Sequence, residues 1–235
     1  MFDALCKSIE HNVWFRVLII AVTAWLLVSA YNKMQKCKFP TRMEGFAQSK
    51  PTNQNHAYEV GAILNKYPDI SNDAVALDVG AGTGAYMSAF IQHGITDITG
   101  IETSAKMIAQ AKKTYPKLGL KIVKGDPTTA SAFEPDSFTL VSMMNFEVYY
   151  ISNTEQLFAN VYDWLKPGGY FVLHLVDPSK SSVLPNDERT GFKMPSPQSF
   201  IEMATGVGFN MLGQIDLVKA QKEYQYFYLF HKPAN

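Results

Sequence analysis

Residues 75–90 read VALDVGAGTGAYMSAF, and this stretch decides the fold. A short apolar run ends at Asp78 and Val79, Gly80, Gly82 and Gly84 make a tight bend, and an apolar helix-like segment follows. Glycine permits the positive φ angles and the close backbone approach that a ligand lying across such a bend requires. The bend also aims backbone N–H groups and a helix N-terminus at that ligand. Alone it is weak evidence, because dinucleotides, mononucleotides and S-adenosylmethionine all use a glycine-rich turn, and a purely structural bend has the same composition.

Outward from the bend the chain alternates. Strand-like apolar runs at 75–79, 98–102, 120–123, 138–144 and 170–176 are separated by helix-like segments near 84–93, 104–114 and 153–165. Such alternation predicts parallel pairing, right-handed crossovers and a sheet covered on both faces, and the nearly continuous apolar character of the runs fits strands buried on both sides. A helix-like stretch near 197–206 then leads to β-rich runs at 209–218 and 224–231 joined by a short polar turn, a hairpin that makes the last strand antiparallel. The prolines at 178, 185, 195 and 197 mark residues 178–197 as a long loop of the kind that often serves as a lid or binding loop. The expected fold is therefore α/β, a Rossmann-like, mostly parallel sheet with an antiparallel last strand.

Two carboxylates sharpen the reading of the bend. Glu102 stands 22 residues after Gly80, at the end of the second run, where an acidic side chain accepts hydrogen bonds from ribose hydroxyls. Asp126 follows the third run. Ligands of open α/β sheets lie along the carboxyl edge, so Asp78, Glu102 and Asp126 are expected to meet in one crevice, although each taken singly reads as a helix cap or a solvated charge.

LDVGAGTG, GIETSAKMI, KGDP, DSFTLVSMMNFEVYYI and LKPGGYFVLHLVDP, in that order and spacing, resemble the class I S-adenosylmethionine-dependent methyltransferases, over about residues 55–232. The resemblance is closest to the small-molecule branch that includes quinone-biosynthesis enzymes. It implies a seven-stranded sheet with the last strand antiparallel and S-adenosyl-L-methionine as cofactor. By matching motif, Asp78 with Gly80, Ala81, Gly82 and Gly84 would hold the methionine moiety and its surroundings, Glu102 would bind the ribose, and Thr103 to Met107 would border the adenine. Asp126 would bond the adenine amino group, and Met144 and Asn145 would face the sulfonium end. Lys166-Pro167-Gly168-Gly169 would be a structural turn.

Departures from the family are few. Thr139 stands where an Asp is common, and Pro127 follows Asp126. Asn145-Phe146-Glu147-Val148 is not the Asn-Pro-Pro-Tyr motif of enzymes that methylate exocyclic or side-chain amide nitrogens, which disfavours those substrates. An NAD-dependent reductase is the rival for the same bend; Ala85 replaces its third glycine, and Ala is tolerated there.

Transfer from a sulfonium needs alignment, exclusion of water and, where the nucleophile carries a proton, a base. Glu147 is the candidate general base or substrate orienter, with a capping or solvated carboxylate as the bland reading. Tyr149 is the second catalytic candidate, although it and Tyr150 also read as pocket walls. His174 reads as a packed core histidine, Asp177 is a further candidate, and His56 and Tyr58 belong to a segment that in this family often closes over the cofactor. A non-catalytic module that binds the cofactor stays open as an alternative.

The N-terminal part differs in kind. Residues 13–31, VWFRVLIIAVTAWLLVSAY, hold 16 apolar residues among 19 and as a helix would span about 28 Å, near the thickness of a bilayer core. Val28-Ser29-Ala30 resembles a cleavage site, but Lys33, Lys36, Lys38 and Arg42 follow the segment while Asp3 and Glu10 offset Lys7 and Arg16 before it. That bias predicts a single-pass membrane helix with the long C-terminal part on the cytoplasmic side, in agreement with the absence of any glycosylation sequon. Cys6 and Cys37 flank the span and read as ordinary thiols, with acylation as the alternative. The expected organisation is a flank at 1–12, the membrane helix at 13–31, a tether at 32–54 and a methyltransferase domain at 55–235. Tethering suggests a small or lipid-like acceptor.

Composition limits the rest. Lys and Arg total 21 against 21 Asp and Glu, which argues against a globally basic nucleic-acid binder, and no nucleic-acid partner is expected. Two cysteines and five histidines without ligand spacing exclude a disulfide scaffold and a structural metal.

Overall fold

The structure is a computed structural model that describes Val22 and residues 53–145, 147–177, 195–217 and 225–234. All of these except Val22 fall in the unit Arg42–Asn235. The expected membrane helix, apart from Val22, lies outside the described residues, as do the loop at 178–194 and the turn at 218–224. Among the described residues no helix is long and apolar enough to cross a membrane.

Helix α1 (Asn53–Lys66) precedes β1 (Ala76–Val79), and then α2 (Ala85–Gln92), β2 (Ile98–Glu102), α3 (Ala105–Thr114), β3 (Lys121–Lys124) and β4 (Phe138–Met143) follow in alternation. After β4 come α4 (Thr154–Trp164), β5 (Leu165–Val176), α5 (Pro197–Val207), β6 (Asn210–Asp216) and β7 (Gln225–His231). The helices start where side chains replace the missing backbone acceptors: Ser104 accepts from the Met107 N–H, Asn153 from Gln156, and Ser196 from Ser199 with Pro197 in the first turn.

The seven strands form one sheet in the order β3-β2-β1-β4-β5-β7-β6. β1 pairs in parallel with β2 and β4, β2 with β3, and β4 with β5. β7 enters antiparallel between β5 and β6, as the hairpin predicts. Chain order therefore reverses at β1, whose two neighbours lead the chain in opposite directions, and the carboxyl ends of β1, β2 and β4 border the crevice where open α/β sheets bind ligands.

Two buried clusters cover the sheet. One joins Leu77, Val79, Val141 and Leu173 to Phe158 and Trp164 of α4 and Phe200 of α5. The other joins Ala76, Leu140 and Val172 to Val60 and Ile63 of α1 and Met87 and Phe90 of α2. One strand, β3, differs in character from the doubly buried runs expected. β1, β4 and most of β5 are buried, whereas β3 is an exposed edge strand bounded by Lys121 and Lys124, and β6 exposes Met211 and Leu212 on the other edge. Charged ends on an edge strand discourage pairing with another chain. Thr139, the departure in β4, has a structural reason: its Oγ1 accepts from the Val75 N–H at 3.0 Å and ties β4 to the start of β1.

Candidate functional site

The bend after β1 has the backbone its glycines predict, with φ of 71° at Gly80, 56° at Gly82 and 77° at Gly84. β2 holds it in place. The N–H groups of Gly80 and Ala81 donate to the Ile101 carbonyl at 2.9 and 3.1 Å, and Gly82 donates to Glu102 Oε2 at 2.9 Å. Gly84 serves packing: a Cβ there would lie 2.4 Å from Leu120 Cδ1, so this glycine lets α2 start close against the entry to β3.

The carboxylates fall on either side of β1. Asp78, at the end of β1, is buried and accepts from the Ser142 hydroxyl of β4 at 2.8 Å. Glu102, at the end of β2, is also buried; its Oε1 accepts from the Ser104 N–H at 2.8 Å and from the Thr103 hydroxyl at 3.4 Å. The bend and the start of α3 thus fix the orientation of the Glu102 carboxylate between them.

Asp126 lies on the same edge but is exposed. Its Oδ1 accepts from the N–H and the hydroxyl of Thr128 at 2.8 and 2.7 Å, a local turn. The Gly125 N–H donates to the Glu102 carbonyl at 3.1 Å and ties this loop to the end of β2. Pro127 is buried, and its carbonyl accepts from Asn160 of α4 at 2.9 Å. Thr103 is exposed at the mouth, while Met107 is buried one turn into α3.

At the end of β4, Met144 is buried and Asn145 is exposed with a φ of 50°. The Asn145 N–H donates to Nδ1 of the buried His174 at 3.2 Å, and His174 stands edge-on to Phe227 of β7 at 4.6 Å. The expected core histidine thus also supports the turn beyond β4. The chain then forms a short 3-10 segment, Glu147–Tyr150. Glu147 stands at its start, with its side chain outside the described residues. Tyr149 is buried, donates its hydroxyl to the Val176 carbonyl at 2.8 Å and packs edge-on to Phe200. Burial pushes its phenol well above the ordinary value of 10.0, so Tyr149 is a structural tie to the end of β5.

Sequence reasoning did not find the first helix or its contribution to this region. Glu59 of α1 is fully buried and accepts a hydrogen bond from the hydroxyl of Tyr86, the second residue of α2. Burial and then the Glu59 and Asp78 carboxylates hold the Tyr86 phenol far above its ordinary range. His56 stands edge-on to the Tyr86 ring at 4.5 Å. The signal for α1 was present in Val60, Ile63, Leu64 and Tyr67, one apolar helical face.

These residues fit an adenosyl sulfonium. A glycine bend of positive φ is joined to a buried ribose-directed carboxylate, and the remaining buried carboxylates suit a cation and oppose the pyrophosphate that a dinucleotide would place on the bend.

Sheet order, bend and acidic strand end are those of the Rossmann-like methyltransferase fold. In agreement, residues 77–173 match the family model described as a methyltransferase domain. An uncharacterised protein of Haemophilus influenzae is 26% identical over 129 residues, 53% of this chain and 50% of that one. Phosphoethanolamine N-methyltransferase 2 of Caenorhabditis elegans is 30% identical over 109 residues, 46% of this chain and 25% of that one. The chain thus spans half or less of the length of these curated relatives. Among solved structures, a SAM-dependent methyltransferase from Aquifex aeolicus aligns with a TM-score of 0.61 at 16% identity, covering 77% of this chain and 93% of the other. The TehB-like SAM-dependent methyltransferase of Corynebacterium glutamicum aligns at 0.57 with 19% identity, covering 87% and 98%. The [4+2]-cyclase SpnF shares the fold at 0.61 and 16% identity, covering 75% and 82%.

Proposed function

We propose that this chain transfers the methyl group of S-adenosyl-L-methionine to a small or lipid-like acceptor and that residues 13–31 anchor it in a membrane, with the catalytic domain on the cytoplasmic side. The observation that carries the cofactor half of this reading is the bond from the Gly82 N–H to Glu102, which joins the bend and the ribose-directed carboxylate at the point where strand order reverses. The acceptor half rests on the apolar stretch at 13–31 and on the small-molecule character of the sequence resemblance.

The bound cofactor supplies an activated methyl group. The protein supplies alignment and a dry site. Glu102 and the bend fix the nucleoside, Met144 presents an apolar wall at the end of β4, and the positive-φ turn at Asn145 sets where the following segment stands. Glu147, at the start of that segment, is the proposed base for an acceptor that carries a proton.

Incubating the chain and its membranes with methyl-labelled cofactor tests the acceptor. Label in the organic extract is expected, and label confined to soluble protein or RNA overturns the lipid-like reading. A second reading, cofactor binding without transfer, stands beside it because fold alone does not fix an activity. Homocysteine-bearing product, present or absent after incubation, separates the two. The anchor is tested by fractionation: the full chain should sediment with membranes and resist carbonate, and deletion of residues 1–31 should release it.

A further inference from the structure

Residues 103–125, TSAKMIAQAKKTYPKLGLKIVKG, hold six lysines and no Asp, Glu or Arg. The whole chain is balanced at 21 basic against 21 acidic residues, so this stretch is offset by an acidic excess elsewhere. It folds as α3, the turn after it and the edge strand β3. Lys106, Lys112, Lys113, Lys117, Lys121 and Lys124 are all exposed.

Local structure accounts for only part of this charge. Lys112 and Lys113 suit the last turn of α3, where the helix dipole favours a cation, and Lys121 and Lys124 guard an edge strand against pairing. The first turn of a helix favours an acidic residue instead, yet α3 has none there and carries Lys106. Lys117 lies on neither element. Lys121 approaches Asp97 at 3.9 Å with both side chains largely exposed, so solvent screens that pair. Aliphatic side chains are interleaved with the lysines: Leu118 and Val123 are 37% and 45% exposed.

Ammonium groups set among exposed aliphatic side chains match the surface of an anionic bilayer, where headgroups take the charge and the acyl boundary takes the methyl groups. Nucleic acid is a poorer match. Its recognition leans on arginine forks and on aromatic rings that stack with bases, whereas this stretch has no arginine and its one aromatic ring, Tyr115, is buried.

We propose that the sheet edge formed by α3 and β3 docks on anionic membrane lipid. Lys106 and Lys124 lie three and two residues from Thr103 and Asp126, the exposed residues at the mouth of the crevice, so docking along this edge brings that mouth to the headgroups. The benefit to a lipid-like acceptor rests on the proposed activity, whereas the docking itself needs neither that activity nor the anchor at 13–31.

The test mixes the full chain with phosphatidylcholine vesicles, with and without phosphatidylserine, and treats them with a water-soluble amine-acylating reagent. Mass spectrometry reads each lysine, and Lys166, exposed near the start of β5, is the internal reference. On phosphatidylserine vesicles at low salt, labelling of Lys113 and Lys117 should fall about fivefold relative to Lys166, the gain expected from one lysine near an anionic surface, and should recover at high salt. Neutral vesicles should give no protection. A full chain carrying Lys113→Glu and Lys117→Glu, two exposed positions, should also lose the protection of Lys112 and Lys121. Equal labelling on the two kinds of vesicle overturns the proposal, as does protection by RNA without protection by vesicles. Flotation separates this inference from the anchor. A chain that floats with both vesicles but is labelled equally keeps the anchor and loses the docking surface, and one that floats only with phosphatidylserine and is protected does the reverse.

Discussion

Gly82 donates its backbone N–H to Glu102 Oε2 at 2.9 Å, so the middle of the glycine bend and the acidic end of β2 form one hydrogen-bonded unit. Replacing Glu102 by Ala removes the acceptor for Gly82 and for Ser104 together. An unsatisfied buried donor costs about 1–3 kcal/mol, so thermal unfolding should shift down and S-adenosylhomocysteine binding should be lost. Glu102→Gln, which keeps one oxygen, should fall between. Undiminished binding by Glu102→Ala would remove this carboxylate from the site.

Gly84 combines a φ of 77° with a missing Cβ that would lie 2.4 Å from Leu120 Cδ1. Gly84→Ala should cost about 1–3 kcal/mol from strain and overpacking. Leu120→Ala removes the atom in the way, so denaturant titration should find the double variant more stable than the sum of the single losses. Simple additivity would show that the strain lies only in the backbone.

His174 presents Nδ1 to the Asn145 N–H, and Asn at this position places its side-chain oxygen where that nitrogen stands. His174→Leu should lose about 1–2 kcal/mol and His174→Asn distinctly less. Amide exchange at Asn145 is the local readout: fast in the Leu variant, slow in the other two.

Tyr149 and Tyr86 have folded-state values raised above the ordinary 10.0, chiefly by burial. A raised value means that the neutral form is favoured on folding, so this stability is fully present below about pH 10 and is lost as the pH climbs toward the folded-state values. Urea midpoints of the wild type should therefore be flat through neutrality and fall above pH 10. Tyr149→Phe should begin about 1 kcal/mol lower, having left the Val176 carbonyl without its donor, and then decline less steeply. An equally steep decline in that variant would assign the alkaline loss to other groups.

Much of the fold could be read in the sequence because period and composition report local structure. The run at 98–102 coincides with β2, and the hairpin that makes β7 antiparallel follows from two β-rich runs with a polar turn between them. β3 was harder. Its apolar residues Ile122 and Val123 resemble a doubly buried run, and only sheet order reveals that it lies at an edge. Helix α1 starts inside the expected tether because Asn53, Gln54 and Asn55 are polar, although four apolar residues further along already had helical spacing.

The site divides in the same way. Glycines 80, 82 and 84 and Glu102 occupy positions that chain spacing prescribes. The contacts of Glu59 with Tyr86, of Ser142 with Asp78 and of His174 with Asn145 join residues 27, 64 and 29 positions apart, and no local pattern announces them. The tie of Tyr149 to the core is likewise tertiary: a tyrosine beside a catalytic loop and a tyrosine anchoring that loop look alike in one dimension.

The insertion of β7 between β5 and β6 sets the order in which the molecule can be assembled on the ribosome. Among the described residues β6 pairs in the sheet with β7 alone, which is made after it, so an emerging chain carries an open β5 edge and an unpaired β6 until β7 arrives. Translation adds about 5–20 residues per second, so that interval lasts on the order of seconds. Joining β6 to the parallel strands therefore waits on β7, the last strand of the described sheet to be made.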